Sequence, residues 1–243
     1  MTEGLTNDDV NDIKFSFGGP LLGEKITFFT NIRSQDNKGH LNGYRLFSVN
    51  DISNFYSDDS LEWFSEKTGD KSYVPMNTGK NLSVLGKISL NLFKGIRISL
   101  LHSYSDDSWF GYDHGFKYNP DGRAGSYKET NYSAFQLNHM ISPRLFYELK
   151  LSVVDNNYGN YLFRDPLAQS QPFNDFDDSG YFVAEGYIHD KYLDGYGPGF
   201  LTGGQSKNHE IRNTIDQTGK IDLTWQVNHT HSIKTGFHFF QHE

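Results

Sequence analysis

Three pairs of adjacent acids, Asp58-Asp59, Asp106-Asp107 and Asp177-Asp178, are the residues whose type most invites catalysis. Glycoside hydrolysis needs one carboxyl as acid and a second as base or nucleophile. Adjacent residues on an extended chain point apart, however, and Asp in loops ordinarily serves turns and solvation. Asp175-Phe176-Asp177-Asp178-Ser179-Gly180 matches the opening of a calcium loop, but its twelfth position is Gly186 where Glu is needed. His229-Thr230-His231 would put two rings on one face of a strand at metal-ligand reach, whereas beside Asn228 it reads as a polar hairpin turn. No Gly-x-Ser-x-Gly, phosphate loop or His-Glu-x-x-His occurs. No catalytic residue, metal or cofactor is therefore assigned, and the chain is not expected to be an enzyme. The remaining candidates are aromatic faces on which a ligand can stack: Trp63, Trp109, Phe110 and Tyr112. Interface or loop packing accounts for the same four residues.

The elements that must position these residues are strands. In Leu82-Ser83-Val84-Leu85-Gly86-Lys87-Ile88-Ser89-Leu90-Asn91-Leu92, even positions are apolar or Gly and odd positions are polar, Leu85 excepted. Ile221, Leu223, Trp225 and Val227 alternate likewise with Lys220, Asp222, Thr224 and Gln226. A period of two places successive side chains on opposite faces of a strand. The polar faces carry charges, so the strands separate an oily medium from a wet one. That requirement points to an antiparallel, up-and-down transmembrane β-barrel.

Bulk properties agree. The 243 residues are 36% hydrophobic and hold no run of about 20 apolar residues, which excludes helical spans. A barrel strand needs only about 9–11 residues, half of them facing a polar lumen. Aromatic content of 16% suits interfacial girdles. The net charge of -8 argues against nucleic-acid binding, which needs clustered Lys and Arg. There is no cysteine, which removes disulfides and thiolate chemistry. The acidic start, Met1 to Val10, has no apolar core of a signal peptide.

About eight strands are expected. They run from roughly Asp12 to Leu22, Ile26 to Gln35, Leu82 to Phe93 and Ile96 to Tyr104. The others lie around Phe135 to Ile141, Leu145 to Val153, Glu210 to Val227 and Ile233 to Phe239. Short turns fall at Gly23-Glu24-Lys25, Phe93-Lys94-Gly95, Ser142-Pro143-Arg144 and Asn228-His229-Thr230-His231. Long connections cover roughly 36–80, 105–129 and 157–208, so all short turns share one side and all long loops the other. Bacterial outer-membrane barrels are built this way, with short periplasmic turns and long extracellular loops. Lys87, Arg97, Lys150 and Lys220 would then line the lumen. Two alternatives carry the same alternation: a soluble secreted β-sandwich that binds or cleaves polysaccharide, and a complete eight-stranded barrel.

The stretch Phe15-Ser16-Phe17-Gly18-Gly19-Pro20-Leu21-Leu22-Gly23-Glu24-Lys25-Ile26-Thr27-Phe28-Phe29 resembles a hairpin of TonB-dependent outer-membrane receptors, of the Oar-like branch with a carboxypeptidase-regulatory-like domain. Ser142 to Ser152 and Thr224 to Phe237 look similar to the same group. The resemblance implies a bacterial outer-membrane location, a barrel of about twenty-two strands around a plug, and energised uptake of an extracellular ligand through the TonB complex. It implies outer-membrane lipid, the plug and TonB as partners; it does not identify the ligand. Residues 1–243 would be a partial receptor barrel, with the plug and remaining strands absent. The lack of an export signal and the ending Gln241-His242-Glu243, without a terminal aromatic, lead to that expectation.

Overall fold

The alternating segments become one antiparallel sheet of eight long strands. The computed structural model describes residues 10–51, 53–55, 57–164 and 199–243. The wall consists of β1 (Val10–Leu22), β2 (Ile26–Asn37), β7 (Gly79–Phe93), β8 (Ile96–Trp109), β9 (Gly125–Ser142), β10 (Leu145–Tyr161), β11 (His209–Gln226) and β12 (Ser232–His242), each paired with its neighbours in that order. Four short strands lie within the first long loop: β3 (Asn42–Tyr44) pairs with β6 (Tyr73–Pro75), and β4 (Ser53–Asn54) with β5 (Phe64–Ser65).

Register assigns every side chain to a face. Phe17 pairs with Thr30, and Phe28, Ile88, Leu100, Phe135 and Leu151 stand side by side along one rung on that same face. The next rung, on the other face, carries Phe29, Lys87, Leu101, Ala134, Ser152 and Thr218. The polar face is the concave one: Ser89 and Ser99 are buried there with hydroxyls 3.1 Å apart, whereas Leu100 on the convex face is 47% exposed. Ion pairs line the concave side, Lys150–Glu148 at 2.5 Å and Lys220–Asp222 at 2.8 Å. Residues of both rungs border a hollow of about 950 Å³.

The apolar band crosses the rungs obliquely. On β7 it runs from Leu82 to Leu90, centred on Gly86; on β10 it runs from Leu145 to Val153, centred on Leu149. Yet Leu149 pairs through Leu137 and Ile98 with Leu90, not with Gly86. Four residues of offset over three strand spacings correspond to a strand tilt of about 43°, using rises of about 3.4 Å and spacings of about 4.8 Å. Outer-membrane strands tilt by about 35–45°. Nine residues at that tilt give about 22 Å of height, close to the apolar band of about 25 Å in such barrels.

The two alternatives fare differently from the barrel. A sandwich packs apolar faces of two sheets on each other. Here the long strands form a single sheet, and Phe15, Phe17, Ile88, Leu151 and Phe237 stay 42–67% exposed. A complete small barrel needs its first and last strands paired; among the described residues, β1 and β12 each have one neighbour.

Strands run further than the alternation indicated. β8 continues through Asp106-Asp107 to Trp109, β9 starts at Gly125, and β10 reaches Tyr161. The connection expected over 105–129 shrinks to 110–124. Beyond the apolar band neither face meets lipid, so Ser105-Asp106-Asp107-Ser108 and Asp155-Asn156-Asn157 carry no two-residue period to detect.

The turns follow their residues. Gly23 and Gly95 take φ of +52° and +81°, a conformation that side chains disfavour. In the last hairpin the Asn228 carboxamide oxygen accepts from the N–H of Thr230 at 2.9 Å and of His231 at 2.8 Å. This is the turn reading of His229-Thr230-His231. Asn228→Ala is expected to cost about 1 kcal/mol, the usual worth of such a cap, read as a lowered urea midpoint with unchanged fold.

Candidate ligand-facing surface

The long loops form a layer over one end of the wall. Its anchor is Arg123, a buried guanidinium. Its Nη1 donates to the Met76 carbonyl and, at 2.8 Å, to that of Gly111; its Nε donates to Pro120 O at 3.1 Å. The Phe110 ring covers it at 5.4 Å. Burial pushes the Arg123 pKa below the ordinary guanidinium value, opposed by the nearby charges of Asp113 and Asp121. Met76, Phe116 and Leu201 pack as a small core contributed by three different loops.

Backbone bonds bind the loops into one body. Tyr44 N donates to Lys117 O at 2.8 Å, Leu201 N to Gly115 O at 2.7 Å, and Gly204 N to Val49 O at 2.7 Å. Asp51, 1% exposed, accepts from Ser48 N at 3.0 Å, from Thr68 N at 2.9 Å and from the Thr68 hydroxyl. Arg45 clamps the first loop to the second through a bidentate pair with Asp121 (2.5 and 3.1 Å), and it also holds Asp70 at 2.9 Å. The Asp121 carboxylate holds the Arg45 proton more tightly than usual.

Hydrogen bonds from Ser72, then the Arg45 charge, hold the Asp70 carboxyl below its ordinary value. A depressed folded pKa contributes above the unfolded value, about 3.9, and is lost as pH falls through the folded one. An NMR titration is therefore expected to place the Asp70 midpoint below about 3.9, and Arg45→Gln to raise it.

Gly39 closes this layer tightly. It sits at φ +66°, and a Cβ there would lie 2.2 Å from the Asn77 carbonyl oxygen. Gly39→Ala is expected to loosen the first loop by about 1–3 kcal/mol, detectable as faster proteolysis within 38–78.

The four aromatic candidates do not converge. Trp63 caps a short 3-10 turn (Ser60–Glu62) in the first loop, meeting the Phe55 ring edge-to-face at 5.8 Å and donating from its indole N–H to Ser57 O at 2.8 Å. Phe110 is committed to Arg123 and Tyr127. Tyr112 pairs with His114, its hydroxyl 3.0 Å from Nδ1. Trp109 ends β8 on the concave face, 6.3 Å from the Tyr158 ring on β10.

The acids resolve by structure. Asp59 caps the turn through the Leu61 N–H at 2.9 Å. Asp106 and Asp107 sit on opposite faces of β8, paired with Glu129 and Lys128. Asp177-Asp178 and the calcium-like stretch lie outside the described residues. Among the described residues, no group of three or more His, Asp or Glu is arranged to hold a metal.

Sequence reasoning missed Tyr158 and Arg212. Both lie where neither face alternates, and only register brings them opposite each other and beside Trp109.

A tilted antiparallel wall, apolar outside and polar inside, with tight turns at one end and packed loops at the other, is a segment of a transmembrane β-barrel. Among solved structures the chain is similar to the outer membrane transporter YddB from Escherichia coli, at 11% identity and a TM-score of 0.55. That likeness covers 94% of this chain and 24% of the other, so this chain spans about a quarter of that transporter's length. No protein-family model matches the sequence, and no curated protein sequence matches it.

Proposed function

We propose that this chain forms part of the wall and the extracellular loops of a bacterial outer-membrane transporter, and that uptake through it is energised by TonB acting on a plug. The oblique apolar band carries the membrane reading, because a lipid-facing surface must stay level while tilted strands pass through it. The likeness to an outer-membrane transporter and the resemblance of the Phe15 to Phe29 hairpin to TonB-dependent receptors support the transport reading. Among the described residues β1 and β12 each pair on one side only, which suits a sheet that continues into further strands. The wall supplies no reaction chemistry. Its loop layer meets the ligand, and its concave face borders the route inward.

The test uses cells producing the natural protein, offered radiolabelled neutral oligosaccharides and ferric chelates. Energised uptake gives accumulation that a protonophore or loss of TonB abolishes while surface binding persists. Accumulation indifferent to both treatments contradicts it.

A further inference from the structure

Above the apolar band the concave wall becomes a specific surface. Tyr158 lies nine residues beyond Leu149, about 22 Å above the band's centre at the strand tilt and clear of hydrocarbon. Trp109, Tyr158 and Arg212 form a row across the wall: the two rings are 6.3 Å apart and inclined at 41°, and the guanidinium lies 5.3 Å over the tyrosine. Trp109 is 39% exposed, so its face is available.

Planar polar side chains flank this row on the same face. Asn81 Nδ2 donates to Asp107 at 2.5 Å, Thr130 Oγ1 to Asn156 Oδ1 at 2.8 Å, and Asn160 Nδ2 to Ser126 Oγ at 2.9 Å. A primary amide offers two N–H donors and a carbonyl acceptor. The wall fixes the orientation of each amide while Asn81 and Asn156 keep further donors for a ligand.

Charge decides which ligand. Asp107 pairs across the strands with Lys128, and Glu210 lies 4.0 Å from Arg212, two acids against two bases, so the surface favours neither an anion nor a cation. The exposed indole of Trp109 beside the half-buried Tyr158 and fixed amides, without net charge, matches a molecule with an apolar C–H face and a rim of hydroxyls. We propose that this surface binds a neutral carbohydrate, with a sugar ring stacked on Trp109, the Arg212-covered Tyr158 ring bordering it, and its hydroxyls bonded to Asn81, Asp107 and Asn156. The assignment rests on the transporter reading and names its substrate class.

The experiment measures calorimetric binding of neutral glucose, mannose and xylose oligosaccharides, and of a ferric chelate, to the purified natural protein in detergent. At least one neutral oligosaccharide is expected to bind. Trp109→Ala should weaken it about tenfold or more, the loss typical of an aromatic anchor. Trp109→Phe, which keeps a stacking face, should retain most of the affinity, and Lys94→Ala in the short turn between β7 and β8, at the opposite end of the wall, should change nothing. Binding indifferent to Trp109→Ala, or binding of the ferric chelate alone, overturns the proposal. Oligosaccharide binding without energised accumulation would fail the transport reading and support the carbohydrate assignment. Energised accumulation of the ferric chelate with no sugar binding would do the reverse.

Discussion

Leu151→Arg is expected to destabilise the protein by about 2–4 kcal/mol in a lipid bilayer, the cost of a charge near the midplane of a barrel's outer face. The residue is 47% exposed and two positions from the centre of the apolar band on β10. In water an exposed leucine tolerates such a change within about 0.5 kcal/mol. The size of the effect therefore reports the medium that this face touches. Ser152→Arg places the same charge one residue away, on the polar concave face that carries the Lys150–Glu148 and Lys220–Asp222 pairs. Its cost is expected to stay below about 1 kcal/mol. The comparison is made by urea titration of protein refolded in vesicles, followed by tryptophan fluorescence. Equal tolerance at both positions would contradict the lipid-facing assignment.

The second large effect belongs to Arg123. Arg123→Ala removes the donors that satisfy the carbonyls of Met76, Gly111 and Pro120, and vacates the space beneath Phe110. The Met76 and Pro120 carbonyls are buried and left without partners at a cost of about 1–3 kcal/mol each, so with the vacated space a local loss of about 3–5 kcal/mol is expected. It should appear as rapid proteolysis and hydrogen exchange throughout the loops, with the wall strands still protected. The wall has its own ladder of backbone bonds, so the two parts uncouple. Unchanged loop protection in Arg123→Ala would mean that the loop layer is held by its backbone bonds alone.

The sheet was legible where it meets lipid. Leu82 to Leu90 and Lys220 to Val227 alternate because one face must be apolar and the other wet, and the short turns are marked by Gly95, Pro143 and Asn228. Strand lengths were not legible. Beyond the band both faces of β8 to β11 are hydrated, so Asp106-Asp107 and Asp155-Asn156-Asn157 read as loop although they pair as strand. The loop layer was legible only as long connections on the side opposite the short turns. Its anchor gave no signal: an isolated Arg123 directly after Pro-Asp-Gly looks like a solvated turn residue, and its partners Gly111 and Met76 lie 12 and 47 positions away. Of the four aromatic candidates, the sequence could not separate Phe110, which packs on Arg123, from its neighbour Trp109, which lies on the open inner wall. That distinction depends on where a strand stops.

The central claim is that this wall crosses the outer membrane with its turns inside and its loops outside. Residues 1–243 hold no cysteine, so once any cysteine elsewhere in the full protein is replaced, single replacements here report their own accessibility. The decisive measurement is labelling of Ser60→Cys and Lys94→Cys in intact cells with a maleimide carrying a polymer too large for porins. The expected result is labelling of Ser60→Cys in intact cells, and of Lys94→Cys only after the outer membrane is permeabilised. Labelling of Lys94→Cys in intact cells as readily as Ser60→Cys would contradict the account.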